Sequence, residues 1–141
     1  MPILIDTNVV SELMRSTPNA RVAAWVAQQA AADLYVATIT EAELRYGVAI
    51  LPTGERRSML LDAVEAMLRE DFAGRILPFD GAAARAYAAI AANRRAMGRS
   101  IAHADCQIAA VARSRGFAVA TRDIGDFRDT GVDLIDPWAQ H

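Results

Sequence analysis

ILIDTNVV, residues 3–10, decides how the chain is read: three apolar residues form a short buried strand, and Asp6, Thr7 and Asn8 follow at once. An Asp there has an ordinary explanation, because it is a favoured helix N-cap and a helix starting at Thr7 would use it. It acquires a second meaning if other acids reach the same place.

Working outward, short apolar runs alternate with longer stretches of helical periodicity, which is the pattern of an α/β protein. Strands are expected at residues 3–5, 34–37, 75–79, 117–120 and, more weakly patterned, 132–135. Helices are expected at 20–32, starting after Pro18 and Asn19, and at 53–72, with Leu60, Val64, Met67, Leu68 and Phe72 on its packing face. Two more are expected from the N-cap Asp80 to the stop at Gly98, and from 104 to 115 before Gly116. No linker, repeat or low-complexity segment interrupts the 141 residues, so one domain spanning 1–141 is expected, with a central parallel sheet of four to five strands between helical layers.

Composition removes several chemistries. All 15 basic residues are Arg, so a P-loop and a Schiff-base amine are both excluded. The single Cys106 forms no internal disulfide and no Cys-rich metal site, which leaves oxygen ligands for any metal, and Cys106 reads as core. No apolar run of about 18 residues is present to span a bilayer, and no export signal is seen, so a cytoplasmic protein is expected.

Ligands of open α/β sheets bind beyond the carboxyl ends of the strands. Asp6 stands at one such end. In LYVATITEAELRYGV, residues 34–48, a strand runs out near Thr38 and brings Glu41 and Glu43 to the same rim; in FAVATRDIGDF, residues 117–127, Asp123 follows a strand end within three residues. Asp105 arrives from a helix, within the apolar stripe of Ile101, Ala104, Ile108, Val111 and Ala112, where an unpartnered charge is costly. Three of the acids have structural explanations when taken singly. Asp6 can cap a helix, Glu43 can close a capping box with Thr40, and Asp123 can bond its own turn. Asp105 has none so simple, and four independent caps are not expected to share one crevice.

Two carboxylates 5 Å apart repel by roughly 3 kcal/mol at an effective dielectric near 20, so such a cluster calls for cations. Oxygen ligands without Cys or a His pair select hard divalent ions, Mg²⁺ or Mn²⁺, whose waters and open positions suit hydrolysis of phosphate esters.

The segments ILIDTNVVSE, ITEAELRYGVA, ADCQIAAVA and ATRDIGDF, in this order and with RILPFD at 75–80 and DPW at 136–138, resemble the PIN-domain ribonucleases, specifically the VapC-type toxins and their FitB-like branch. The resemblance implies a compact α/β/α fold and an endoribonuclease dependent on one or two Mg²⁺ or Mn²⁺ ions. It also implies a homodimer that forms a heterotetramer or larger assembly with a small VapB- or FitA-like antitoxin, whose other end binds operator DNA. It assigns the catalytic and metal-ligand acids to Asp6, Glu43, Asp105 and Asp123, and it alone chooses Glu43 over Glu41. Many relatives have Asn where Asp123 stands, which makes Asp126 a substitute or helper. Thr7, Asn8 and Thr121 match polar positions that orient the acids, although each also suits a cap or turn.

The formal net charge of −2 argues against a strongly basic RNA surface, yet setting the four acids aside leaves 13 acids against 15 Arg. Arg94, Arg95 and Arg99 in NRRAMGRS are the RNA-contact candidates, against the alternative of a solvated helix end; His103 is placed to reach the site or the RNA, against the commoner case of a lone exposed His that does neither. Two other functions stay open. One is a metal-dependent phosphatase-like hydrolase, which a missing receiver-type Lys and Asn8 in place of a second Asp both disfavour. The other is a catalytically silent PIN-like module whose acids receive a partner's Arg.

Overall fold

The structure is a computed structural model that describes residues 1–139, so the last two residues of the expected domain lie outside it. Its order is β1 (Ile3–Ile5), α1 (Thr7–Leu13), α2 (Ala20–Gln28), β2 (Leu34–Ala37), α3 (Thr38–Ala49), α4 (Glu55–Ala66), β3 (Ile76–Leu77), α5 (Gly81–Ala96), α6 (His103–Arg115), β4 (Ala118–Ala120) and β5 (Leu134–Ile135). The five strands form one sheet in the order β3-β2-β1-β4-β5, with every pairing parallel.

Alternation along the strands divides the core in two. Ile3 and Ile5 of β1, Leu34 and Val36 of β2, and Ala120 of β4 face a layer built from Val9, Val10, Val22, Trp25, Leu44, Val48, Val64, Leu68 and Phe72 of α1–α4 and the turn after them. Leu4, Ala37 and Val119 face the opposite layer, where α5 and α6 contribute Ala83, Ile90, Cys106 and the run 108–112. Both faces of β1 are covered, which is why it reads as an unbroken apolar run.

Where the elements differ from expectation, local chemistry accounts for it. The edge strand β3 covers only Ile76–Leu77, because Pro78 has no N–H to extend the ladder. The expected helix at 20–32 ends at Gln28, and a 3₁₀ turn at Ala31–Asp33 leads into β2. The expected helix at 53–72 begins at Glu55 and widens into a π turn over Met67–Asp71. Asp80 caps α5 by accepting from the Ala83 amide at 3.0 Å, and Gly116 ends α6 in the left-handed conformation at φ 71°.

Leu4, fully buried on the central strand, is the most sensitive test of this sandwich. Leu4→Ala is expected to cost about 3 kcal/mol, read as a lower urea midpoint with an unchanged slope.

Candidate active site

In the order β3-β2-β1-β4-β5 the chain leaves β1 toward β2 on one side and returns to β4 on the other, so the ends of β1 and β4 flank a topological switch point. The Asp6 amide donates to the Ala120 carbonyl at 2.8 Å, which extends the ladder by one residue and sets Asp6 at the sheet edge beside Thr121. Asp6 is only 5% exposed. One carboxylate oxygen accepts from the Thr7 amide at 2.8 Å and the other from the Thr121 hydroxyl at 2.8 Å. The capping explanation and the strand-end acid are therefore the same side chain.

Around Asp6 the strand ends open into a cleft lined by Thr7, Asn8, Glu43, Asp105 and Asp123. Glu43 comes from α3 and accepts from the Thr7 hydroxyl at 2.7 Å; the Thr7 and Thr40 hydroxyls lie 3.0 Å apart. The capping box expected as an alternative does not form, because α3 starts at Thr38, two residues before Thr40, and Thr40 is buried inside the helix. Glu41 turns away from the cleft to pair with Arg45 at 2.8 Å, and Arg45 also binds Glu65. Asp123 accepts from the Asn8 side-chain amide at 3.0 Å, while its own amide donates to the Thr121 hydroxyl at 3.0 Å. Thr7, Asn8 and Thr121 thus each supply a neutral donor to a different acid.

Asp105 lies in the first turn of α6, a position where the helix dipole favours a negative charge and which reading the stripe alone had not weighed. Its carboxyl is pushed up to about 6, first by burial and then by the charges of Asp6, Asp126, Asp123 and Glu43. Burial also raises the Asp6 carboxyl, against the lowering effect of its bonds to Thr121 and Thr7; Glu43 and Asp123 add to the rise. Asp126 is exposed and outside the cleft lining, yet near enough for its charge to raise Asp105.

Burial rules out Arg94 as an RNA contact. It is 4% exposed, with its guanidinium donating to the carbonyls of Arg99 at 2.7 Å, Asp126 at 2.9 Å and Arg128 at 2.8 Å. It is a clamp for the loop that carries Asp126. Arg99 pairs with Asp129 at 3.0 Å, and Arg95 lies exposed beside Ala91, Ala92 and Ala96 on α5, outside the acid cleft. His103 is exposed at the start of α6, with its ring within 6° of the plane of the Tyr87 ring and Nδ1 2.6 Å from the Tyr87 hydroxyl; Cys106 is buried, as expected. The cleft also contains Ser11, Glu12, Arg15, Arg122 and Trp138, none of which the sequence reading singled out. Arg122 stood between Thr121 and the rim acid Asp123, and Trp138 within the quoted DPW segment, but neither was assigned to the site.

Among the described residues no three His, Cys, Asp or Glu side chains are drawn close enough to enclose an ion by themselves. The donor chemistry nevertheless fits a hard divalent ion: all four groups are carboxylates, they share a cleft, and the charges of Glu43 and Asp123 add to the upward shifts of Asp6 and Asp105. Mg²⁺ keeps several waters and needs only one or two direct carboxylates.

A parallel α/β domain with an acid-lined cleft at its switch point is the class that this fold and site define. The chain belongs to the PIN-domain family, whose profile, described as PIN domain, matches residues 3–132. It is 46% identical to Toxin FitB of Neisseria gonorrhoeae over 136 residues, covering 96% of this chain and 98% of that protein. It is 45% identical to VapC ribonuclease Y4jK of Sinorhizobium fredii, covering 96% and 97%. The solved structure of FitAB bound to IR36 DNA fragment superposes with a TM-score of 0.92 at 44% identity, covering 99% of this chain and 97% of that one.

The raised Asp105 carboxyl has a stability consequence. A group whose pKa rises on folding, here from 3.8 to about 6, contributes stability that is fully present below the lower value and lost as pH rises through the upper one. Asp105→Asn is therefore expected to raise the melting temperature of the metal-free protein at pH 7.5 by about 3 °C, corresponding to roughly 1 kcal/mol once solvent screening is discounted. The gain should fall to roughly a third of that at pH 4.5 and nearly vanish at about pH 3, below the unfolded value, as differential scanning fluorimetry across this range would show.

Proposed function

We propose that this chain is an endoribonuclease dependent on Mg²⁺ or Mn²⁺ and the toxin of a type II toxin–antitoxin module, with residues 1–141 forming one nuclease domain. The observation that carries the reading is the convergence of Asp6, Glu43, Asp105 and Asp123, from four separate parts of the chain, on one cleft. PIN-domain nucleases are generally dependent on divalent metals, and the relatives named as a ribonuclease and a toxin support the same activity here.

In this reading Asp6 and Asp105 are the most direct ligands and Glu43 and Asp123 complete the set around one or two ions. A bound divalent ion supplies neutralisation of the phosphate charge and activation of a water. The remaining work belongs to the chain. Thr121 and the Thr7 amide fix the Asp6 carboxylate, the Thr7 hydroxyl orients Glu43, and Asn8 orients Asp123. None of these donors carries a positive charge, so they position the acids without neutralising them.

RNA is the substrate, and a small antitoxin with a DNA-binding end is the partner, supported by the likeness to a FitAB complex on DNA. We assign the chain to a homodimer within a heterotetramer or larger assembly, and to the cytoplasm. Among the described residues no helix is long and apolar enough to cross a membrane.

Purified protein is expected to cut single-stranded RNA with Mg²⁺ or Mn²⁺ and to stop when EDTA is added. Asp6→Asn and Asp105→Asn should each lower kcat by at least about 100-fold, and Thr121→Val, which removes a donor to Asp6, by roughly 10–100-fold. Undiminished cleavage by the double Asn variant would defeat the assignment. Absence of divalent binding at millimolar concentration in calorimetry would favour the silent module, and hydrolysis of phosphomonoesters with RNA left intact would favour the phosphatase.

A further inference from the structure

An acid-floored cleft repels the anionic backbone that it is read as cutting, and the arginines expected to offset this lie elsewhere: Arg94 is buried, Arg99 is paired and Arg95 is outside the cleft. Two cations do line it, Arg15 and Arg122. Arg15 leans on Glu12 at 3.4 Å. Arg122 is different because its backbone is locked into the acid network on both sides. The preceding Thr121 donates to Asp6, the Arg122 amide donates to Asn8 Oδ1 at 3.4 Å, and the following Asp123 accepts from Asn8.

Its side chain crosses to Trp138, with the guanidinium carbon 5.2 Å from the ring centroid. Trp138 is itself fastened, packing against the core layer of α1–α4, donating its amide to Asp136 Oδ1 at 2.9 Å and accepting at its carbonyl from Arg21 at 3.5 Å. An arginine in an acid-rich cleft would ordinarily fall onto a carboxylate, yet among the described residues Arg122 makes no ion pair within 4 Å. A cation–π contact consumes none of the five guanidinium N–H donors, whose planar fork matches a phosphate.

We infer that Arg122, held by the Trp138 indole, is a phosphate-binding residue that grips the backbone of single-stranded RNA in the acid cleft. The inference rests on the reading of that cleft as an RNA-cleaving site. Arg122 supplies the positive charge that the floor lacks, from a backbone position that moves with Asp6 and Asp123. Trp138 is a positioning residue: it restricts the guanidinium to the cleft and keeps it off the acids.

The test is binding of a fluorescein-labelled single-stranded oligoribonucleotide, by anisotropy across a salt series, in an Asp105→Asn background that slows cleavage. Adding Arg122→Ala is expected to raise Kd roughly tenfold at 0.1 M salt and to reduce the slope of log K against log salt by about 0.7, the loss of one phosphate contact. Arg122→Lys should keep the slope and lose a few-fold in affinity, because a point charge replaces the fork. Trp138→Leu should also keep the slope while weakening binding about threefold, since the charge remains but is no longer oriented. Because Arg122 is exposed, its variants should melt within about 1 °C of the parent.

An unchanged Kd and slope in Arg122→Ala, or no RNA binding by the parent at all, overturns the inference. So does unchanged RNA affinity accompanied by loss of a co-purified protein partner, which would give this face to the partner. Parent cleavage of RNA with KM unaltered by Arg122→Ala leaves the nuclease reading standing without this inference. RNA binding that depends on Arg122, in a protein that cuts no RNA, does the reverse.

Discussion

The structure depends on a buried carboxylate at the end of a buried strand. Asp6 completes the β1–β4 ladder through its amide and spends both carboxylate oxygens on Thr7 and Thr121. The two hydrogen bonds offset part of the desolvation of the charge, and burial together with the charges of Glu43 and Asp123 still leaves its proton affinity raised. Everything nearby is referred to this fixed point. Thr121 is held by Asp6, Asp123 is held by Thr121 and Asn8, and α1 starts from the Asp6 carbonyl.

The donors around the acids are neutral, and that choice keeps the cleft open to a cation. A chain with 15 arginines had ample means to pair Asp6, Glu43, Asp105 and Asp123 internally. Among the described residues its ion pairs instead use Glu12, Asp33, Glu41, Glu65 and Asp129. Pairing with Arg would have stabilised the apo protein and cancelled the field that attracts a divalent ion. Hydroxyl and amide donors fix direction and leave the charge in place.

The central sheet was legible because strands covered on both faces appear as short apolar runs, and β1 and β2 fall where those runs fall. Edges were less so: β3 and β5 are two residues each, limited by Pro78 and by partnership on one side only. The shared cleft followed from the rule that parallel strands present their carboxyl ends together. Glu43 against Glu41 did not, because both lie in the opening half of α3 and only the packing of α4, which brings Glu65 to Arg45, takes Glu41 out of the cleft. Arg94 was read as an RNA-contact candidate, with a solvated helix end as the alternative, and its burial excludes both. Its spacing from Ala83 and Ile90, the buried residues of α5, had placed it on the packing face. Trp138 was out of reach for another reason, since its place beside Arg122 depends on how the end of the chain returns across the sheet.

Parallel topology also explains why the acid cluster is tolerable before any ion binds. Because α1, α3 and α6 all begin at one sheet edge, their amide ends point toward the cleft, with Asp6 capping α1 and Asp105 in the first turn of α6. Each such end stabilises a nearby anion by about 0.3–1 kcal/mol. A pair of carboxylates at 5 Å costs roughly 3 kcal/mol at an effective dielectric near 20. The helix ends therefore recover only a fraction of the repulsion, and in Asp105 burial first and the neighbouring acids second keep the carboxyl up at about 6. The fold can hold the acids together, but the charged forms of Asp6 and Asp105 are disfavoured until positive charge enters the cleft. In the function proposed above a divalent ion supplies that charge, and the role inferred for the rim arginine on Trp138 is to bring the substrate's phosphate to it.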